Sequence, residues 1–190
     1  MGNGGSDMEV KLHFGCGDID KHSEGYINID ARKLPHVDMV ADVSQKLPYE
    51  DNTVDEILAE SVLEHIPHNF IGVPCNFKMS KTMSVLQEWY RILKDGGKLV
   101  LRVPNIEAIF HCYINKTIST VDLVGYLWGN SEYAGNRHLA GFDVPILSAC
   151  LKCAGFNNIK FVAPHDYKSA LQRDASWEMG VIAIKGDENE

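Results

Sequence analysis

No stretch of this chain approaches the ~20 consecutive apolar residues that a membrane-spanning helix needs. Nor is there a basic run: Lys and Arg are scattered, and the formal net charge is −8. An acidic surface repels phosphate backbones at long range, so neither a membrane nor a nucleic acid is the expected partner. The first residues, Met1 to Asp7, lack the basic start and apolar run of a secretory signal and read as a flexible leader over 1–8. Internal repeats and low-complexity linkers are missing too. Cysteine is present in an odd number, five, and without an export signal reduced thiols in a cytoplasmic setting are expected. Cys150-x-x-Cys153 stands alone in an apolar helical stretch, so core cysteines are favoured there over a zinc or redox site, which needs more ligands.

What remains is an ordinary globular composition over 190 residues, long enough for one domain, assigned to 9–185 with a polar tail over 186–190. Short β-type runs recur: Val10–Phe14, Gly25–Asp30, Val37–Asp42, Val54–Ala59 and Lys98–Val103. Before the fifth, Met83, Leu86, Trp89, Tyr90 and Leu93 recur at helical steps, and Lys94-Asp95-Gly96-Gly97 carries the signals of a helix end. A helix over Val144–Ala154 and strands over Phe156–Val162 and Glu178–Ile184 complete the pattern. Strands alternating with helices predict an α/β, three-layer sandwich: a seven-stranded, mostly parallel sheet with an antiparallel final strand. Two excursions, 68–80 and 106–142, exceed a minimal layout and read as lids or substrate walls.

Chemistry-bearing residues gather at the predicted strand ends. The first strand stops at Gly15-Cys16-Gly17-Asp18, where glycine lets backbone approach a ligand. The third glycine of the dinucleotide fingerprint is missing, since position 20 is Asp20. Asp30 ends the second strand, placed to accept hydrogen bonds from ribose hydroxyls, and Asp42 ends the third, placed to read an adenine edge. Either acid alone reads equally well as a solvated cap; three successive strand ends of this kind point to an adenosine-containing ligand.

These pieces, with Tyr26-Ile27-Asn28-Ile29-Asp30, Ala41-Asp42-Val43, Val54 to Ile66 and Arg91-Ile92-Leu93-Lys94-Asp95-Gly96-Gly97, resemble the class I, Rossmann-like S-adenosylmethionine-dependent methyltransferases, in particular the small methyltransferase-domain branch. The resemblance runs from about Val10 to Val103 and implies S-adenosylmethionine as cofactor. It implies that Phe14, Gly15, Cys16 and Gly17 line methionine and ribose through backbone contacts, that Asp30 holds the ribose hydroxyls with Ala31 by the adenine, and that Asp42 and Val43 recognise the adenine. Glu60 and Ser61 are implied beside the methionine portion and the methyl group. Two departures stand out. His13 occupies a position where the family often carries an acid, and the segment from Gly17 to Tyr26 is too short for a full crossover helix, which leaves one sheet face thinly covered.

Methyl transfer to a hydroxyl calls for alignment and a base, and histidine suits the second task. His65, near the end of the fourth strand, and His138, in Asn136-Arg137-His138-Leu139, are the catalytic candidates. Each also reads as a packing or surface-loop histidine, and Glu64 as a supporting acid. No set of clustered ligands stands out along the sequence, so no metal is expected. The base-methylating relatives' Asp-Pro-Pro-Tyr type motif is replaced by Ala59-Glu60-Ser61-Val62, which favours a small-molecule acceptor, by analogy a sugar or glycan-precursor hydroxyl. A catalytically inactive S-adenosylmethionine- or S-adenosylhomocysteine-binding protein acting as partner or sensor shares all these motifs. A nicotinamide-dependent oxidoreductase and an aminopropyl transferase are remoter readings. Acceptor, methylated atom and oligomeric state are not encoded in any motif found.

Overall fold

The computed structural model describes residues 9–68, 80–133, 135–162 and 176–186. The expected leader, the interior of the 68–80 excursion with Pro74 and Cys75, and nearly all of the tail lie outside them. Seven strands form one sheet: β1 (Lys11–Phe14), β2 (Tyr26–Asp30), β3 (Met39–Val40), β4 (Val54–Glu60), β5 (Leu93–Pro104), β6 (Asn158–Val162) and β7 (Glu178–Ile184). Their order is β3-β2-β1-β4-β5-β7-β6; β1 to β5 pair in parallel, and β7 runs antiparallel to both β5 and β6. The chain thus steps outward from β1 to β3, then restarts at β4 on the other side. A crevice at such a reversal is where an open parallel sheet binds its ligand.

The period-2 alternation of the strands sorts side chains onto two unlike faces. Leu12, Phe14, Ile29, Ile57, Ala59, Leu99, Leu101, Val181 and Ala183 turn to one side and are buried there. Helices α1 (Lys81–Ile92) and α4 (Val144–Ala154) contribute Met83, Leu86, Trp89, Leu147, Cys150 and Leu151 to the same core. Gly155 ends α4 in the left-handed region at φ +115°, and a Cβ there would lie 2.9 Å from the Tyr90 ring that packs edge-on against Phe156. The opposite positions of the same strands carry Lys11, His13, Tyr26, Asn28, Glu56, Leu58, Lys98, Val100 and Arg102. Only Tyr26, Leu58 and Val100 make an apolar cluster there. Between β1 and β2 the chain makes just a 3-10 turn, His22–Glu24, in keeping with the shortness of that crossover.

Three local expectations change. Helix α1 is not capped by glycine: it ends at Ile92, and Leu93 enters β5 at once because its backbone pairs with Val54. Gly96 and Gly97 instead form a turn within the extended stretch, bonded to Lys185 at the end of β7. β3 shrinks to two residues, because Asp42 leaves the sheet to accept the Ser44 amide in a tight turn. The 106–142 excursion holds two helices, α2 (Ile106–Ile114) capped by Asn105 and α3 (Thr120–Trp128) opened by a Ser119–Asp122 capping box. α2 buries only Ile109 and α3 none of its residues, so this region is set by its caps and its ties to the loops beside it.

Candidate active site

Beyond the ends of β1 and β4 the backbone turns twice through the left-handed region at Gly15 and Gly17, both at φ +57°. At Gly15 a Cβ would stand 2.6 Å from Val62 Cγ2, so the turn admits no side chain where it faces the loop after β4. Gly17 donates its N–H to Asp30 Oδ2 at 2.8 Å, which ties the first strand end to the second. The other oxygen, Oδ1, accepts from the Arg32 amide at 2.8 Å and from Arg32 Nε at 3.1 Å. Burial by itself would raise the Asp30 pKa, but the bonds from Arg32 and Gly17 outweigh it and keep the carboxyl below its usual range. The group is therefore an acceptor-only carboxylate with a lone-pair position left on Oδ2.

These residues wall a cleft of about 340 Å³, lined by Gly15, Gly17, Asp30, Ala31, Asp42, Val43 and Ser61 among the positions singled out from sequence. Phe14, Cys16 and Glu60 do not line it. Phe14 is fully buried against Trp89, and Cys16 is buried, its thiol pushed up to about 11 by desolvation. Glu60 sits on the polar sheet face in register with Arg102, where the two side chains approach to 3.9 Å. For Phe14 and Glu60 this follows from strand alternation, which turns a strand-end side chain to a face rather than into the crevice; Cys16 lies in the loop beyond β1.

Arg32, Tyr133 and Gly135 complete the cleft and carried no sequence signal as site residues. The Arg32 guanidinium lies over the Tyr133 ring, 4.4 Å from its centroid. At the Asp42 end of the cleft, Ser44 N–H and Gln45 Nε2 hold the exposed Asp42 carboxylate, and Trp89 Nε1 donates to Val43 O at 3.0 Å from the core beneath.

A second chamber of about 310 Å³ opens beside the first and shares Ser61 and His65 with it. Its walls include Glu64, Tyr126, Asn130, Asn136, His138 and Trp177, with the Tyr126 and Trp177 rings stacked 3.9 Å apart. Glu64 and His65 lie on a 3-10 turn, Leu63–His65, rather than a helix face, and two backbone bonds pin the excursion to that turn. Leu139 N–H and Ala140 N–H both donate to Glu64 O, at 2.7 and 3.0 Å. A third tie runs from His65 Nδ1 to Arg137 O at 3.0 Å, while His138 Nδ1 bonds Tyr126 O at 3.0 Å.

With each Nδ1 donating to a carbonyl, Nε2 of both rings is the unprotonated nitrogen. Burial lowers both histidine pKa values, and for His138 the neighbouring His65 adds to the effect. The rings meet edge to face, their centroids 5.1 Å apart. Glu64 is the reverse case: desolvation, aided by Glu178, pushes it up to about 8. Donor atoms of Glu64, His65 and His138 all lie within 4.8 Å of one another, a cluster that the fold assembles from two distant stretches of chain.

Of the cysteine pair, Cys150 is in the core and is pushed up to about 12 by burial, whereas Cys153, its helical neighbour, is exposed. The reading of both as core residues therefore holds for one only, since α4 turns its second cysteine to solvent. Among the described residues no helix is long and apolar enough to cross a membrane.

Residues 13–101 match the family model described as a methyltransferase domain. Over the whole chain, no curated protein is significantly similar in sequence. Solved structures share the fold. A Thermotoga maritima protein described as a S-adenosylmethionine-dependent methyltransferase, possibly a histamine N-methyltransferase, aligns at TM-score 0.56 and 17% identity over 94% of this chain and 83% of its own. A putative S-adenosylmethionine-dependent methyltransferase of Listeria monocytogenes aligns at 0.55 and 15%, over 94% and 92%. A Haemonchus contortus phosphoethanolamine N-methyltransferase, solved with S-adenosylmethionine, aligns at 0.57 and 15%, over 96% of this chain and 50% of its own.

Proposed function

We propose, from the match of residues 13–101 to the methyltransferase-domain model and from the class I, Rossmann-like fold, that this chain uses S-adenosylmethionine to methylate a small-molecule hydroxyl, of the sugar or glycan-precursor class. The observation that carries the reading is the second chamber, which shares Ser61 and His65 with the cleft at the strand ends. A donor and an acceptor site in open contact suit turnover better than storage or sensing of the cofactor.

The residues of the first cleft fit the cofactor. Gly15 and Gly17 leave room along the backbone, and Asp30, which already accepts three bonds, keeps a lone-pair position on Oδ2 for a ribose hydroxyl. Ala31, Asp42 and Val43 border the adenine position, and Arg32 with Tyr133 covers the ribose side. When bound, S-adenosylmethionine supplies a sulfonium methyl group that a nucleophile displaces in line.

The protein's own work is to hold the nucleophile and take its proton. The stacked Tyr126 and Trp177 rings offer an apolar face, and the Asn130 and Asn136 amides offer donors and acceptors, a combination suited to the two faces of a sugar ring. Nε2 of His138, neutral and backed by the Tyr126 carbonyl on the other ring nitrogen, accepts the hydroxyl proton, and His65 stands beside it.

The test is formation of S-adenosylhomocysteine from labelled S-adenosylmethionine with a panel of sugars, nucleotide sugars, amines and nucleic acids. Acceptor-dependent product with hydroxyl compounds supports the reading; methylation of amines or nucleic acid alone overturns it. His138→Ala is expected to cost ~10²–10⁴ in turnover while S-adenosylhomocysteine still binds.

A further inference from the structure

Resting on the acceptor chamber proposed above, we infer that Glu64, His65 and His138 form a binding site for a divalent transition-metal cation that holds the acceptor's oxygen atoms. The donor set is one carboxylate and two imidazoles, with donor atoms within 4.8 Å of one another. Donors around a shared ion at ~2.1 Å stand roughly 3–3.5 Å apart, so a small closing of the side chains completes the set.

Three independent features are those of a cation site. The first is Glu64, a buried carboxyl that lines the chamber and whose oxygens have no geometric hydrogen-bond partner, Ser61 being the polar side chain that acts on it. Buried carboxyls of this kind stay neutral, pair with a cation or coordinate a metal. Of the cations nearby, Arg102 is already engaged by Glu178 and Glu60 on the polar sheet face. The second is the orientation of the imidazoles. Nδ1 of His65 and of His138 each face a backbone carbonyl at 3.0 Å, the outer contact that fixes a ligand histidine's tautomer and leaves Nε2 for the metal. The third is rigidity: Leu139 and Ala140 bond to the Glu64 carbonyl, so the turn that carries two ligands is fastened beside the segment that carries the third.

One carboxylate and two imidazoles suit manganese, iron(II), cobalt or zinc better than magnesium, which prefers an all-oxygen octahedron with retained waters. Three protein ligands leave coordination positions open, and these face a chamber lined by Asn130 and Asn136. An acceptor with adjacent oxygens fits those positions, and the ion then lowers the pKa of the bound hydroxyl, whose proton leaves to solvent. In that arrangement the imidazoles act on the acceptor through the ion instead of taking the proton themselves.

The experiment uses chelator-stripped full-length protein titrated with Co²⁺ by visible absorption and with Mn²⁺ by electron paramagnetic resonance. S-adenosylhomocysteine affinity is measured on the same samples. One saturable site of micromolar affinity, weakened at least about tenfold by Glu64→Gln and by His138→Gln with the circular dichroism spectrum and S-adenosylhomocysteine affinity retained, supports the inference. No saturable site, or one indifferent to both substitutions, overturns it, and with S-adenosylhomocysteine still bound the proposed function stands without the ion. Cobalt binding at these three residues in a protein that binds neither adenosyl ligand supports the cation site and overturns the function proposed for its surroundings.

Discussion

The Arg32 guanidinium bridges Asp30 and the Tyr133 ring, its Nε 3.1 Å from the Asp30 carboxylate and its plane 4.4 Å from the ring centroid. One side chain thereby connects Asp30, the acid proposed to hold the ribose, to the excursion, and the cleft closes across it. Cation–π contacts of this kind contribute ~0.5–2 kcal/mol. Tyr133→Ala should therefore weaken S-adenosylhomocysteine binding about 2- to 30-fold, mainly by faster dissociation. An unchanged dissociation rate in stopped-flow would remove Tyr133 from the closure.

Asp30→Ala should weaken binding more. It removes the ribose acceptor and also frees Gly17 N–H and the Arg32 side chain. Charge-assisted bonds contribute ~1.5–3 kcal/mol, which corresponds to a loss of roughly 10- to 100-fold in affinity by calorimetry. Equal affinity in wild type and variant would place the ribose elsewhere.

Trp89 couples the core to the Asp42–Val43 end of the cleft. Its ring packs on Phe14 and its Nε1 donates to Val43 O. Trp89→Phe keeps an aromatic ring but strands a buried carbonyl, at a cost of ~1–3 kcal/mol. A lower denaturant midpoint with an unchanged slope is the expected outcome, and an unaltered midpoint would mean that water replaces the indole.

His13 controls the acid side of the stability profile. Desolvation holds its pKa at about 4 despite the bond to Asn28, against 6.5 for the free side chain. The unfolded chain takes up a proton near pH 6.5 that the folded chain refuses until pH 4. Stability from this group is thus complete above pH 6.5 and is lost as pH falls towards 4, by ~3 kcal/mol in total. His13→Asn should flatten urea-midpoint against pH over that window, and a retained slope would assign the loss to other groups.

Thiol labelling should separate the cysteines by burial. At pH 8, iodoacetamide should modify Cys153, which is exposed, before Cys16 and Cys150, whose pKa values are pushed up to about 11 and 12. Mass spectrometry of the labelled peptides reads the order directly. Early labelling of Cys16 would show that the first loop opens.

The sheet and the cofactor end were legible in the sequence because both are local. A short strand writes its own alternation, and Gly15, Gly17, Asp30 and Asp42 each sit where such a run stops. Phe14 and Glu60 adjoin the crevice along the chain, yet pleating turns one into the core and the other towards Arg102. Arg32, Tyr133 and the convergence of Glu64, His65 and His138 were not legible. They depend on how the 106–142 excursion folds back, and α2 and α3 bury too little for hydrophobic periodicity to report it.

The single carbonyl of Glu64, bonded to the amides of Leu139 and Ala140, separates heredity of chemistry from heredity of taste. The proposed donor end is written in a compact block of strands and the proposed acceptor end in a stretch that this oxygen, with the His65–Arg137 bond, fastens to that block. Exchange or drift within the excursion retunes what is recognised without unpicking the sheet, provided the new segment returns two backbone amides to that oxygen. A proline at either position would forfeit one of them, so such lineages should keep an ordinary residue there whatever else they vary.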